Sequence, residues 1–156
     1  MNFGEFLDSV YVTTKRPDKV QDTKDATNRA ILKFSLGASF AADLVEGTVA
    51  IVATSYSQSF SISTNFTRFR RLYYLKRTNA TKFMDLVDAR KVFDNCGRSR
   101  KDVWYRAGDN IVFTLLALSA TLEYGYFQSP PILVDDADEY WMMEELQAML
   151  DRKSVV

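Results

Sequence analysis

Carboxylates crowd the end of this chain: Asp135, Asp136, Asp138, Glu139, Glu144 and Glu145. Paired carboxylates can do general acid–base work or hold Mg²⁺. The same residues also suit a plainer role. Asp136 can cap a helix, Glu139 three residues on completes a capping box, and the remaining acids complement the helix dipole. No partner motif accompanies them, which favours the plainer role.

A second cluster is basic and aromatic. Arg68, Arg70, Arg71, Lys76 and Arg77 interleave with Phe66, Phe69, Tyr73 and Tyr74. Such a strand could bind single-stranded nucleic acid by stacking and charge. It could equally bury one face and solvate the other, or pair with the acids of a neighbour. Period two sends Arg70 and Arg71 to opposite faces, which argues against a flat platform.

Cys96, near Arg98, Arg100 and Lys101, is the sole thiol, and cations can lower a thiol pKa. The chain has no histidine, so the commonest general base and metal ligand is missing. The six glycines are scattered, with no phosphate loop, and no serine sits in a nucleophile elbow. The expectation is a protein without enzymatic activity, metal or cofactor.

With 156 residues, one domain is expected, burying roughly 70% of its unfolded surface. One cysteine excludes an internal disulfide and suits a reducing compartment. Lys+Arg and Asp+Glu are both 20, so bulk charge favours neither nucleic acid nor membrane. No run of apolar residues is long enough to cross a bilayer. Met1 to Val12 carries Glu5 and Asp8 and no basic region, unlike a signal peptide.

The elements that position these residues follow from periodicity. Phe3, Phe6, Leu7, Val10 and Tyr11 form a helical stripe over about 3–12, with Asn2 and Glu5 at its cap. Pro17 and Asp18 suit the start of a second helix, to about residue 36, with Val20, Thr27, Ala30, Ile31 and Phe34 on one face. Phe40, Leu44 and Val45 can pack against this layer. From Glu46 the period changes to two. Strands are expected over 48–53, 59–63, 69–76, 103–106, 110–118 and 121–128, with a turn at Gly108-Asp109 and a cap at Asp88. Pro130 and Pro131 stop the pairing. A last helix is expected from about Ala137, with Tyr140, Trp141, Met142, Leu146, Met149 and Leu150 as its apolar face. The fold class is α+β: a helical part from residues 1–45 and 136–156, and a central antiparallel β-rich part, 46–131, of about six short strands. Trp104, Tyr105, Tyr124, Tyr126, Phe127, Tyr140 and Trp141 divide between core and interface.

Taken in order, these stretches resemble a known family. They are Arg16-Pro-Asp18, Asn28-Arg-Ala-Ile31, Phe40 with Asp43-Leu-Val-Glu-Gly47, Phe69-Arg-Arg-Leu-Tyr-Tyr74, Val103-Trp-Tyr105, Gly108-Asp-Asn-Ile111 and Glu123 to Trp141. Together they resemble the head-to-tail adaptor (connector) proteins of tailed bacteriophages, the short-tailed type especially. The resemblance implies a structural virion protein: a ring of identical copies, usually a dodecamer, docked under the portal protein. Such a ring extends the channel for passing DNA, read without sequence specificity, and seats tail tube, nozzle or tail-fibre proteins. It implies assembly in the host cytoplasm, a place at the head–tail junction, and no membrane. Candidate contact residues are Arg68, Arg70, Arg71, Tyr124, Tyr126, Phe127, Pro130, Pro131, Asp135, Asp136 and Asp138. The apolar ending Val155-Val156 reads as a shortened tail or a segment that enters a partner. The alternative is a small nucleic-acid-binding module using Arg68 to Arg77.

Overall fold

The computed structural model describes residues 1–52, 57–92, 101–114 and 119–153. The expectations for Cys96, Arg98, Arg100, Val155 and Val156 lie outside these residues. Among these described residues the fold is α+β, with four α-helices and seven strands in two sheets. It divides into two compact units, one from Met1–Asp43 with Ser129–Val156, the other Leu44–Gln128. Leu44 and Val45 therefore belong to the β-rich unit, and Pro130 and Pro131 to the helical one.

In the helical unit, α1 (Phe3–Thr14) buries Phe3, Phe6 and Leu7, the stripe expected from their spacing. Its capping box forms: the Glu5 N–H donates to Asn2 Oδ1, and the Asn2 N–H to Glu5 Oε2. The next free N–H groups of this helix are satisfied from far along the chain. Phe3 donates to the Asp138 carbonyl and Gly4 to the Asp136 carbonyl, each at 2.8 Å. A Cβ on Gly4 would stand 3.0 Å from Asp136 Cβ, so glycine permits this approach.

That contact explains a correction. Asp136 and Glu139 do not form a capping box, and the last helix, α4 (Met142–Lys153), starts five residues later than expected. Residues 136–139 serve α1 instead, with Glu139 bridged to Asn2.

The second helix, α2, spans Val20–Gly37, so Pro17 lies in the preceding turn. It buries Thr27, Ile31 and Ser35 at i, i+4, i+8. Val20 and Phe34, expected on the buried face, are exposed in the single chain. Ile31 joins Phe3, Phe6, Leu133, Met142 and Met143 in one core. Asp43 ends the first part of this unit. Its carboxylate accepts from Tyr140 Oη and Trp141 Nε1, both at 2.8 Å.

The β-rich unit has one sheet ordered β1-β7-β3 and another ordered β2-β6-β5-β4. β1 (Leu44–Val52), β3 (Phe69–Arg77) and β7 (Ser119–Gln128) are antiparallel. The second sheet contains β2 (Ser57–Ser61), β4 (Asp85–Leu86), β5 (Val103–Ala107) and β6 (Asn110–Thr114). The short β4 was not expected, and it pairs with β5 in parallel. Residues 62–65 form a helical turn, α3 (Ile62–Asn65), capped by Ser61, so the strand expected over 59–63 ends at Ser61. The Gly108-Asp109 turn joins β5 to β6, and Gly108 has φ +60°, which suits glycine. Asp88 caps a short turn by accepting from the Arg90 N–H.

Leu75, Leu122 and Tyr126 of the first sheet share a core with Trp104, Ile111 and Phe113 of the second. Two glycines make room for tyrosine rings on the first sheet. A Cβ on Gly47 would lie 2.7 Å from Tyr124 Oη, and one on Gly125 would lie 2.5 Å from Tyr74 Cε1.

Candidate partner-binding surfaces

β3 carries the basic and aromatic residues, and its register decides where they point. Two irregularities interrupt its pairing with β7, between Phe69 and Arg71 and between Leu72 and Tyr74. Each leaves an extra residue on β3, as a bulge does. Phe69, Leu72 and Leu75 therefore pack on the same core although spaced by three. Arg70 and Arg71, expected on opposite faces, both lie over the Phe127 ring, at 5.7 Å and 5.1 Å. Arg68 adopts φ +48° and donates to Gln128 Oε1 at 2.9 Å. Lys76 pairs with Glu123 at 2.7 Å and Arg77 with Asp102 at 3.0 Å.

The aromatic candidates are largely interior. Tyr126 and Phe127 are buried, and Tyr124 packs against the same core as Tyr126. The Tyr126 hydroxyl accepts from the Thr67 N–H at 3.2 Å. On the opposite face, the Tyr74 hydroxyl reaches past Gly125 to donate to Glu46 Oε1 at 2.7 Å. Burial, then this bond to a carboxylate, pushes the Tyr74 pKa up to about 12.

The acids separate into different roles. Asp136 pairs with Lys24 at 2.9 Å, an interaction that raises the lysine pKa. Asp138 accepts from the Val134 and Asp135 N–H groups at 2.7 Å and 2.9 Å. Those donors hold its pKa below the usual carboxylate value. Asp135 is exposed. Asp109 resembles Asp138: hydroxyls of Ser63 and then Ser61 lower its pKa. Among the described residues no cluster of three or more His, Cys, Asp or Glu could hold a metal ion. None of the described helices is long and apolar enough to cross a membrane.

Concave surfaces among the described residues include the following. In the helical unit, a groove of about 420 Å³ lies among Phe6, Val10, Ala26, Ala30, Leu146 and Met149. On the other flank of α2, Leu32 and Arg29 border a hollow with Pro130, Pro131 and Ile132. In the β-rich unit, a cleft of about 450 Å³ is floored by Phe69, Leu72, Trp104 and Ile111 and bordered by Arg71 and Arg106. Arg106 and Ile132 were missed from the sequence, although the aliphatic run Ile132-Leu133-Val134 after Pro131 was a usable signal. Compared with known protein families and with curated proteins, the chain matches none.

Proposed function

We propose that this chain is a structural virion protein: a head-to-tail adaptor subunit, without enzymatic activity, forming a ring under a phage portal. One observation carries the reading. α2 presents two different flanks on either side of its buried stripe Thr27, Ile31 and Ser35. Ala26 and Ala30 line an apolar groove on one flank; Leu32 and Leu36, exposed, ride on the other. A closed ring joins unlike surfaces of successive copies, so each subunit needs two non-identical contact faces. The resemblance of the stretches from Arg16-Pro-Asp18 through Trp141, in order, to short-tailed phage adaptors supports the same role. Portal below the head, tail proteins beneath, and passing DNA in the channel are the partners this implies.

The test is a mass measurement of the protein alone and then with a pre-formed portal ring. The reading expects a multiple of the monomer in at least one case. A monomer in both, with no portal complex, would refute it. A second reading, a single-stranded nucleic-acid module, has Arg71 and Arg106 beside the aromatic cleft in its favour. It expects binding that weakens with salt at a slope of about −0.7 per phosphate contacted.

A further inference from the structure

Residues 132–135 form a ridge that is rigid without being helix or strand. Asn28 Nδ2 donates to the Leu133 carbonyl at 2.8 Å, and the Leu133 N–H donates to Asn28 Oδ1 at 2.9 Å. The Val134 N–H donates to Asp138 Oδ2, and Lys24 Nζ donates to the Val134 carbonyl at 3.0 Å. The Asp135 N–H also goes to Asp138 Oδ2, and the Asp138 N–H returns to the Asp135 carbonyl at 3.0 Å. Every backbone polar group of residues 133–135 is therefore satisfied, by other parts of the helical unit. Leu133 is buried, yet Ile132 is 79% exposed and Val134 62%. The chain thus spends a dense set of hydrogen bonds on holding two aliphatic side chains and the Asp135 carboxylate out to solvent. Rigid presentation of this kind cuts the ordering cost of association.

The cleft of the β-rich unit has the matching chemistry. Phe69, Leu72, Trp104 and Ile111 give it an apolar floor, and Leu86 and Tyr73 stand exposed at its border. Arg71 and Arg106 supply positive charge at the border, with Arg106 oriented by its Nε–H bond to the Gly108 carbonyl at 3.0 Å. A volume of about 450 Å³ lies within the usual range of ligand pockets and has room for branched aliphatic side chains.

We propose that the Ile132–Val134–Asp135 ridge of one copy docks in the Phe69–Trp104 cleft of a second copy, with Asp135 facing Arg71 and Arg106. The two faces differ, so the contact is head-to-tail and propagates into a ring or filament. The apolar pair supplies affinity, and the charges supply register. This rests on the reading of the chain as a ring subunit.

The experiment uses full-length chains carrying Cys96→Ser. Ile132→Cys and Leu86→Cys are placed in separate chains, which are mixed and oxidised, alone and with portal rings. Thermal melts confirm that each variant folds. The mixed 132–86 disulfide is expected to exceed either symmetric disulfide by about tenfold, as a head-to-tail contact requires. Arg106→Glu should lower its yield about three- to tenfold, and adding Asp135→Arg should restore most of it, as rim charges that set register do. If the chains associate without the mixed disulfide, this contact is wrong and the ring reading stands. If they associate neither alone nor with portal, both fail. Absence of the disulfide together with Arg106-dependent binding of a single-stranded oligonucleotide would overturn the proposal and assign the cleft to nucleic acid.

Discussion

Asn28 and Leu133, 105 positions apart, exchange two hydrogen bonds through one side-chain amide, at 2.8 Å and 2.9 Å. An amide matches a peptide group donor for acceptor, so α2 holds this stretch of backbone through both of its polar groups, as a neighbouring strand would. Asn28→Ala should leave both Leu133 groups unpaired at a partly buried site, costing about 1–3 kcal/mol. For a chain of this length that is about 2–4 °C in Tm per kcal/mol. Asn28→Asp keeps the acceptor but turns a carboxylate on the Leu133 carbonyl, and should not rescue. Thermal melts of both variants check this; a wild-type Tm in either would contradict it.

The Tyr74 ring lies where a Cβ on Gly125 would stand, 2.5 Å from Cε1. Gly125→Ala should displace the ring, break the bond to Glu46 and cost about 1–3 kcal/mol, as overpacking does. Tyr74→Leu should remove most of the penalty of Gly125→Ala, because the obstruction is gone. A double-mutant cycle reads the coupling. Additive effects would show that the ring and the glycine are independent.

Tyr74 should also titrate late. Its folded pKa of about 12 lies above the unfolded value of 10.0. Its contribution to stability is in full force below about pH 10 and is lost as pH rises toward 12. Tyrosinate absorbance of the native protein should lose its latest-titrating component in Tyr74→Phe. An unchanged titration curve would place the raised pKa elsewhere.

At the acid end the sign reverses. Asp138 has a folded pKa below its ordinary 3.8, because it accepts two backbone N–H groups. Its stabilisation is complete above about pH 4 and is lost as pH falls through the lower folded value. Asp138→Asn should flatten the acid limb of Tm against pH, leaving the part that Asp109 supplies by the same logic. An acid limb identical to wild type would exclude this role.

Phe3 and Phe34 separate folding from assembly. Phe3 is 0% exposed and Phe34 44%. Phe3→Ala should cost about 3–5 kcal/mol in the isolated chain. Phe34→Ala should leave the free protein within about 0.5 kcal/mol of wild type, as surface changes do. If α2 is a ring contact, Phe34→Ala should lower incorporation into particles. Equal stability losses would mean that Phe34 is core.

The sequence by itself determined the features that depend on neighbours a few residues apart. The stripe Phe3, Phe6, Leu7 and the Asn2–Glu5 cap are both one-turn relationships, and both formed. The Gly108-Asp109 turn, the Asp88 cap and the change to period two near Glu46 are equally local, and the α+β class follows from them. The tertiary structure decided everything with a distant competitor. Asp136 and Glu139 have the spacing of a capping box, but residues 136–138 supply the carbonyls that Phe3 and Gly4 need, so helix α4 waits until Met142. Arg70 and Arg71 alternate on paper, yet β7 pairs with β3 through bulges that bring both to Phe127. Tyr126 and Phe127 looked like contact residues, but Tyr126 packs on Phe66 in the core, and Phe127 lies against Tyr73, Arg70 and Arg71. The ridge at Ile132 and Val134 exists because Asn28, Lys24 and Asp138 converge on one stretch of backbone. Local spacing cannot specify such a convergence: it depends on which segments meet after the chain has closed over its two cores.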